Sequence, residues 1–370
     1  MSRVRQTGFM ADVVYLHVGA PKTGSTYLQD RLYANRAELA SHGVHYPVGL
    51  QNDMFRAALA LTERSWPSQP ESTEGEWESL ASRVRRADGS AIVSHEIMSV
   101  AKPAHVARAM ATFEDAEIHV VYAVRDIARQ IPAGWQEGLK HGQRQSFRRF
   151  VDRVMKADRR EPTLFFWRAQ SLPDVLSRWT TGLPPERVHV VTVPQAGSGP
   201  GELWARYCRA FGVDPAWAPA DTARSNESVG IEEAALLRKL NRRLRSTDLD
   251  AVQYAHIVRH LMVHQTLATR EDKRRLTLPP RARAWAHQVA QEWIEWVEGS
   301  GVDVVGDIED MRPVFPEATW QNPDKPRPRQ VTDAALDALV AIIEETARRP
   351  DPDRATVARL GRAARRLRSR

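Results

Sequence analysis

The chain of 370 residues contains a single cysteine, Cys208, and no stretch of the roughly 20 apolar residues that a membrane-spanning helix needs. One cysteine excludes a disulfide framework, a cysteine-based zinc site and Cys-x-x-Cys redox chemistry. The first ten residues are basic, but the apolar segment of a secretory signal does not follow them. These absences lead us to expect a cytoplasmic protein.

Lysine is also scarce, because only 7 of the 53 basic residues are lysines and the others are arginines. The formal net charge is +7, and residues 351–370, with seven Arg and two Asp, carry +5 of it. This tail lacks the interleaved aromatic residues of single-stranded nucleic-acid sites. We therefore predict no nucleic-acid partner. We interpret the tail as a basic amphipathic helix that lies on an anionic membrane surface or on the protein's own acidic surface.

Four short apolar runs rich in β-branched residues have the length of strands: 13–18, 91–94, 118–124 and 188–193. Nearly continuous apolar runs are typical of a parallel sheet that is buried on both faces. Stretches with helical character separate them, for example 25–40 and 104–113. This alternation predicts an α/β chain with a three-layer α/β/α arrangement and a central parallel sheet.

The remaining chain divides by composition. The polar region 51–78 is interpreted as a surface excursion, and the stretches 231–244, 251–267 and 281–297 have the pattern of amphipathic helices. Five prolines fall within 313–329. We predict four segments in chain order: an α/β core over 1–230, a helical extension packed on it over 231–312, a proline-rich arm over 313–330, and a helical basic tail over 331–370.

A glycine-rich turn follows the first predicted strand and precedes a predicted helix. Its sequence is Gly-Ala-Pro-Lys-Thr-Gly-Ser-Thr over 19–26. Such a turn binds phosphate-like anions through backbone N–H groups and the positive end of the helix dipole. The spacing between Gly19 and Gly24 is that of a Walker A loop, but Ser25 occupies the place of the Walker lysine and the lysine is Lys22. No second carboxylate site for Mg²⁺ is recognisable, and we predict no metal.

The motif P-K-T-G-S-T directly after a first strand resembles the 5′-phosphosulfate loop of sulfotransferases that use 3′-phosphoadenosine 5′-phosphosulfate (PAPS). That family has a P-loop-containing fold of the kinase type, and the resemblance is greatest for its bacterial branch. The resemblance implies PAPS as sulfuryl donor and 3′,5′-ADP as product, without a metal. It also implies that Lys22 binds the bridging oxygen and the leaving phosphate. The following residues would supply backbone and hydroxyl hydrogen bonds: Thr23, Gly24, Ser25 and Thr26.

A second part of the resemblance lies at the end of the run 118–124, where Arg125 follows. In the family, a strand-end arginine and a serine eight residues later contact the 3′-phosphate of the donor. Arg125 matches this arginine, but position 133 is Ala133 instead of serine. Gln130, Gln136 or a later arginine is the candidate replacement for the missing hydroxyl.

The third part lies at the end of the run 91–94, where His95 and Glu96 follow. In the family this strand end carries the catalytic base, either a histidine or a glutamate. The Ser-x-Glu pattern formed by Ser94 and Glu96 favours Glu96, with His95 as the alternative. The expected reaction is in-line sulfuryl transfer to a hydroxyl or amine, with Glu96 accepting the proton.

Two other functions remain open. A P-loop kinase would need the Walker lysine, which is absent, and a carboxylate for Mg²⁺. The departure at Ala133 leaves open a catalytically degenerate nucleotide-binding protein of the same fold. The acceptor could be a small molecule, a glycan or a lipid, because no part of the chain carries a recognisable acceptor motif. The oligomeric state is equally open.

Overall fold

The computed structural model describes residues 11–69, 71–221 and 228–348. A parallel sheet of six strands forms its centre, in the order β2-β3-β1-β4-β5-β6. The strands are β1 (Val13–His17), β2 (Val44–His45), β3 (Ser90–Ser94), β4 (Glu117–Val124), β5 (Val188–Thr192) and β6 (Asp303–Val305). The four predicted runs are β1, β3, β4 and β5, and the predicted α/β class with a central parallel sheet is confirmed.

Helices follow most strands. The α-helices are α1 (Ser25–Ala34), α2 (Arg36–Ser41), α3 (Asp53–Thr62), α4 (Glu76–Val84), α5 (Pro103–Thr112), α6 (Ile127–Lys140), α7 (Phe147–Lys156), α8 (Phe165–Gln170), α9 (Leu172–Trp179), α10 (Glu202–Phe211), α11 (Ile231–Leu244), α12 (Ala251–Tyr254), α13 (Arg283–Ser300) and α14 (Pro328–Arg348). A π-helix over Ala255–Leu267 continues α12. Short 3₁₀ helices span Glu96–Val100, Pro185–Arg187, Pro215–Trp217, Pro280–Ala282 and Ile308–Met311. No helix within the described ranges combines the length and apolar character needed to cross a membrane.

The central strands are buried on both faces. Four consecutive residues of β4, from Val120 to Ala123, have no exposed surface, although their side chains alternate between the two faces. Val14 and Leu16 of β1 are equally buried. Burial of this kind requires helices on both sides of the sheet, which explains why the strands appear in the sequence as continuous apolar runs.

The topology fixes where a ligand can bind. β1 lies between β3 and β4, so the chain leaves β1 toward one side of the sheet and later returns to its other side. His17 at the end of β1 pairs in register with Ser94 at the end of β3. Ligands of open α/β sheets bind outside the carboxyl ends of the strands at such a reversal point. The segments that follow β1, β3 and β4 therefore meet at one edge.

The described part of the chain forms two compact units, the first comprising residues 11–69, 71–137, 145–221 and 276–322. The segment 276–322 belongs to this unit because β6 pairs with β5 and because Trp293 of α13 packs edge-to-face on Trp167. Both indoles are buried, as expected for a helix that packs on the core. The predicted helical extension 231–312 is thus divided between the two units.

The second unit comprises, of the described residues, 138–144, 228–275 and 323–348. Two buried carboxylates in the first turn of α11, Glu232 and Glu233, form ion pairs with Arg274 and Arg270. Acidic residues at this end of a helix also match its dipole. The predicted basic tail 351–370 lies outside the described residues.

The interpretation of 51–78 as a surface excursion is wrong for its first part. This part forms α3, and its buried residues include Met54, Ala57, Ala58 and Leu61. They recur at intervals of three or four residues, the spacing of one helix face. The polar composition of the region as a whole concealed this short amphipathic pattern.

Candidate functional site

The turn after β1 leads directly into α1, whose first residue is Ser25. Gly24 precedes it with φ +94°, in the left-handed region, and no side chain caps the helix. The first turn of α1 also contains no acidic residue. Its backbone N–H groups and the positive end of its dipole therefore suit an anion.

Backbone conformation and packing both favour glycine at position 24. A Cβ atom there would lie 2.6 Å from Cδ2 of Leu203, in addition to the cost of the left-handed backbone. Lys22 also has a positive φ, of 68°. Residues in this conformation turn successive N–H groups toward one point, as in known anion-binding loops.

Hydrogen bonds hold the loop in shape. The Thr23 hydroxyl donates to the carbonyl oxygen of Ala20 over 2.6 Å. The side-chain amides of Gln130 and Gln170 both donate to the carbonyl oxygen of Pro21. Thr23, Gln130 and Gln170 are all buried. A loop fixed from two other elements presents its donors without further ordering when an anion binds.

Lys22 forms an ion pair with Glu137 of α6, with 2.5 Å between Nζ and Oε2. The two side chains are 35% and 31% exposed. An anion that binds Lys22 must compete with this carboxylate. Nothing in the sequence pattern had pointed to Glu137, because it lies twelve residues beyond Arg125 without a motif.

Arg125 lies beside the loop. Its Nη1 donates to the carbonyl oxygen of Lys22 over 3.3 Å. The following residue, Asp126, is fully buried and pairs with Arg129, which also donates to the carbonyl oxygens of Val193 and Pro194 after β5. The strand ends of β4 and β5 are thereby joined. The structure thus brings the predicted Arg125 and Lys22 together.

The segment after β3 also lies against the loop. Glu96 begins the 3₁₀ helix Glu96–Val100, and its Oε2 accepts a hydrogen bond of 3.0 Å from Nε2 of Gln29 on α1. A Cβ atom on Gly19 would lie 3.1 Å from Cβ of Ser99 in the same 3₁₀ helix. Gln29 therefore belongs to the site. It lies one helical turn after Ser25, and this position on α1 is the only sequence signal that could have identified it.

Glu96 is held in its ionised form. Burial raises the pKa of its carboxyl, but the combined effect of His95, its own backbone N–H, Gln29 and the charge of Lys22 is larger and lowers the pKa below its usual range. The Lys22 contribution places the two charges in one electrostatic environment. A carboxylate beside an anion site can accept a proton at neutral pH.

His95 differs from Glu96 in its hydrogen bonding. Its Nδ1 accepts from the backbone N–H of Ile97 over 3.1 Å, and its ring stacks on Phe55 at a centroid distance of 5.1 Å. Burial lowers the pKa of His95 despite the nearby Glu96. The neutral ring therefore carries its proton on Nε2, since Nδ1 is the acceptor.

His17, at the end of β1, has a structural role. It has no exposed surface, and its Nδ1 lies 2.7 Å from the hydroxyl oxygen of Ser94. Burial lowers its pKa to about 4, so the ring is neutral in the folded protein. Trp135 is buried as well and donates from Nε1 to the carbonyl oxygen of Gln145. Neither ring is available to a ligand.

The remaining predicted site residues differ in burial and in hydrogen bonding. Ser25 is buried, and Thr26 is partly exposed on the first turn of α1. Ala133 lies in α6 without a hydroxyl, and Gln130, one candidate to replace it, is already bonded to the loop and to Gln170. Among the described residues, no cluster of three or more His, Cys, Asp or Glu side chains could hold a metal ion.

Comparisons with known proteins give matches among solved structures alone. No protein-family model matches the chain, and no curated protein matches it. A crystal structure of a sulfotransferase from Alicyclobacillus acidocaldarius is similar to it at 18% sequence identity and a TM-score of 0.37. The likeness covers 68% of this chain and 98% of the other. The function is therefore argued from the residues of the site.

Proposed function

We propose that the chain transfers the sulfuryl group of PAPS to a hydroxyl or amine acceptor. The observation that carries the proposal is the meeting of three groups at one sheet edge. These are Lys22 in an anion loop, Arg125 bonded to that loop, and the ionised Glu96 bonded to α1. Together they offer two cations, a set of uncapped backbone N–H groups and one carboxylate.

The loop fits a phosphosulfate. PAPS, when bound, supplies an activated sulfuryl group on a single bridged phosphate. Lys22 and the first turn of α1 would hold this end and would stabilise the charge that develops on the bridging oxygen. Arg125 would hold the 3′-phosphate, in spite of Ala133, through its guanidinium fork. No metal is part of the proposal, because these two cations would provide the neutralising charge.

Glu96 is the proposed general base. As the acceptor oxygen or nitrogen forms its bond to sulfur, the bond from sulfur to the bridging oxygen breaks and the acceptor proton passes to the carboxylate. Glu96 is suited to this role because it is ionised, with one oxygen held by Gln29. His95 is less suited, since the proton on its Nε2 leaves no lone pair there to accept another.

The experiment measures 3′,5′-ADP formed from PAPS with a panel of phenol, amine, sugar and lipid hydroxyl acceptors. Lys22→Ala should reduce turnover by roughly 10²- to 10³-fold, the loss typical of one preorganised donor. Lys156→Ala, at the exposed end of α7, is the matched control and should retain full activity. A Lys22→Ala protein as active as this control would contradict the proposal.

Two further variants separate the candidate bases. Glu96→Gln should lose turnover but still bind 3′,5′-ADP, because its carboxylate acts on the acceptor. His95→Gln should retain most of the turnover. The opposite pattern would assign the base to His95, and an active double variant would exclude both.

A further inference from the structure

Helix α14 of the second unit has two apolar faces. One is buried and consists of Val331, Ala334 and Ala338. The other is exposed and consists of Leu336, Leu339, Val340 and Ile343, with exposed fractions between 51% and 57%. These four side chains follow helical spacing and form one continuous stripe. We call these four residues the α14 stripe.

The stripe is small. Four side chains, each about half exposed, offer on the order of a few hundred Å² of apolar surface. A stable interface between two proteins buries about 800 Å² on each partner. The α14 stripe alone is therefore too small for a stable dimer but is large enough for one additional amphipathic helix.

The charge around the stripe identifies the kind of occupant. Helix α14 carries four acidic residues, whereas its two arginines, Arg329 and Arg348, lie at its ends. The acidic residues are Asp333, Asp337, Glu344 and Glu345. Asp337 already pairs with Arg270, and Glu344 pairs with Arg348. An anionic lipid surface would be repelled by this helix, whereas a basic segment would be attracted.

The chain itself contains a segment with the complementary pattern. Residues 349–370 lie outside the described part, but their sequence is informative. Four apolar residues recur at heptad spacing: Val357, Leu360, Ala364 and Leu367. The stretch 353–370 also contains seven Arg and a single Asp. It therefore combines an apolar stripe with strong positive charge.

The length of the connection matches as well. Pro350 and Pro352 flank Asp351 directly after α14, and prolines at this position interrupt a helix. If the chain reverses at Asp351, residues equally far from it lie opposite one another, since both helices rise about 1.5 Å per residue. Positions 357–367 then oppose 335–345, the part of α14 that contains the stripe.

We propose that residues 353–370 fold back as an amphipathic helix on the α14 stripe. The apolar residues of the tail cover the stripe, and its arginines face the acidic residues of α14. The basic tail is then bound to the chain's own acidic helix and is not presented to a membrane. This interaction is independent of the sulfotransferase function proposed above.

Cross-linking of engineered cysteines in the full chain tests the proposal. The one natural cysteine does not interfere, because burial raises the pKa of the Cys208 thiol to about 12. The test pair is Ile343→Cys with Leu360→Cys, treated with a short bis-maleimide. The control pair is Ile343→Cys with Arg362→Cys, which lies on the opposite face of the tail helix.

The expected result is cross-linking within one chain that is at least tenfold faster for the test pair than for the control pair. Equal rates would overturn the proposal, because the tail would then have no fixed face toward α14. Predominant cross-linking between chains would overturn it in favour of a second copy. If the test pair does not cross-link and the wild-type protein sediments with phosphatidylserine vesicles, the proposal would be overturned in favour of a membrane surface.

Discussion

Under the proposed function, Glu137 would compete with the anionic donor for Lys22, and this competition can be measured. The carboxylate lies 2.5 Å from the Lys22 ammonium, and both side chains are about one third exposed. A pair with this exposure is screened by solvent, so it contributes about 1 kcal/mol. Glu137→Gln removes this contribution without changing the size of the side chain. Binding of 3′,5′-ADP should therefore tighten about fivefold, since 1.4 kcal/mol corresponds to a factor of ten.

Isothermal titration calorimetry at two salt concentrations is the appropriate assay. The gain in affinity should be larger at low salt, because the competing ion pair is partly exposed. Glu78→Gln is the matched control, since Glu78 also forms an ion pair of 2.5 Å, with Arg108, but lies outside the loop region. Equal or weaker binding by Glu137→Gln, in a protein whose Lys22→Ala variant does lose binding, would refute the competition.

Two predictions concern the scaffold of the site. Gly24→Ala should lower the free energy of unfolding in urea more than Gly75→Ala. Both glycines have a positive φ, but only a Cβ atom on Gly24 would lie close to another side chain, 2.6 Å from Leu203. Equal decreases in the free energy of unfolding would contradict the effect of this close approach. The pKa of His17 is about 4 in the folded chain and about 6.5 in the unfolded chain. Its contribution to the free energy of unfolding is therefore complete above pH 6.5, and about 3 kcal/mol of it is lost as the pH falls toward 4. Urea denaturation of His17→Asn across this pH range should show a free energy of unfolding that falls by about 3 kcal/mol less than that of the wild type. The same pH profile in both proteins would contradict the role of His17.

The strands and the turn after β1 were predictable because their signals are local. Apolar runs of strand length identified β1, β3, β4 and β5, and the Gly-Lys-Gly spacing identified the turn before α1. The topology then brought Lys22, Glu96 and Arg125 to one edge. Strand-end positions were sufficient for this, since the carboxyl ends of parallel strands share an edge.

Other features depend on contacts that are distant in sequence. The strands β2 and β6 have only two and three residues, too few for a periodic pattern, and β6 is fixed by its pairing with β5. Gln170 reaches Pro21 across 149 positions. Glu137 meets Lys22 only because α6 follows β4 past the loop. Tertiary packing determines these strands and contacts, and no local sequence pattern predicts them.

The central claim is that the loop around Lys22 binds a 3′-phosphorylated adenosine nucleotide without a metal. Calorimetric titration of the wild-type chain with 3′,5′-ADP, and with ATP in the presence of Mg²⁺, tests it most directly. We expect saturable binding of 3′,5′-ADP that is insensitive to EDTA, is lost in Lys22→Ala, and is much tighter than binding of ATP. Binding of ATP only with Mg²⁺, or of neither nucleotide, would contradict the account.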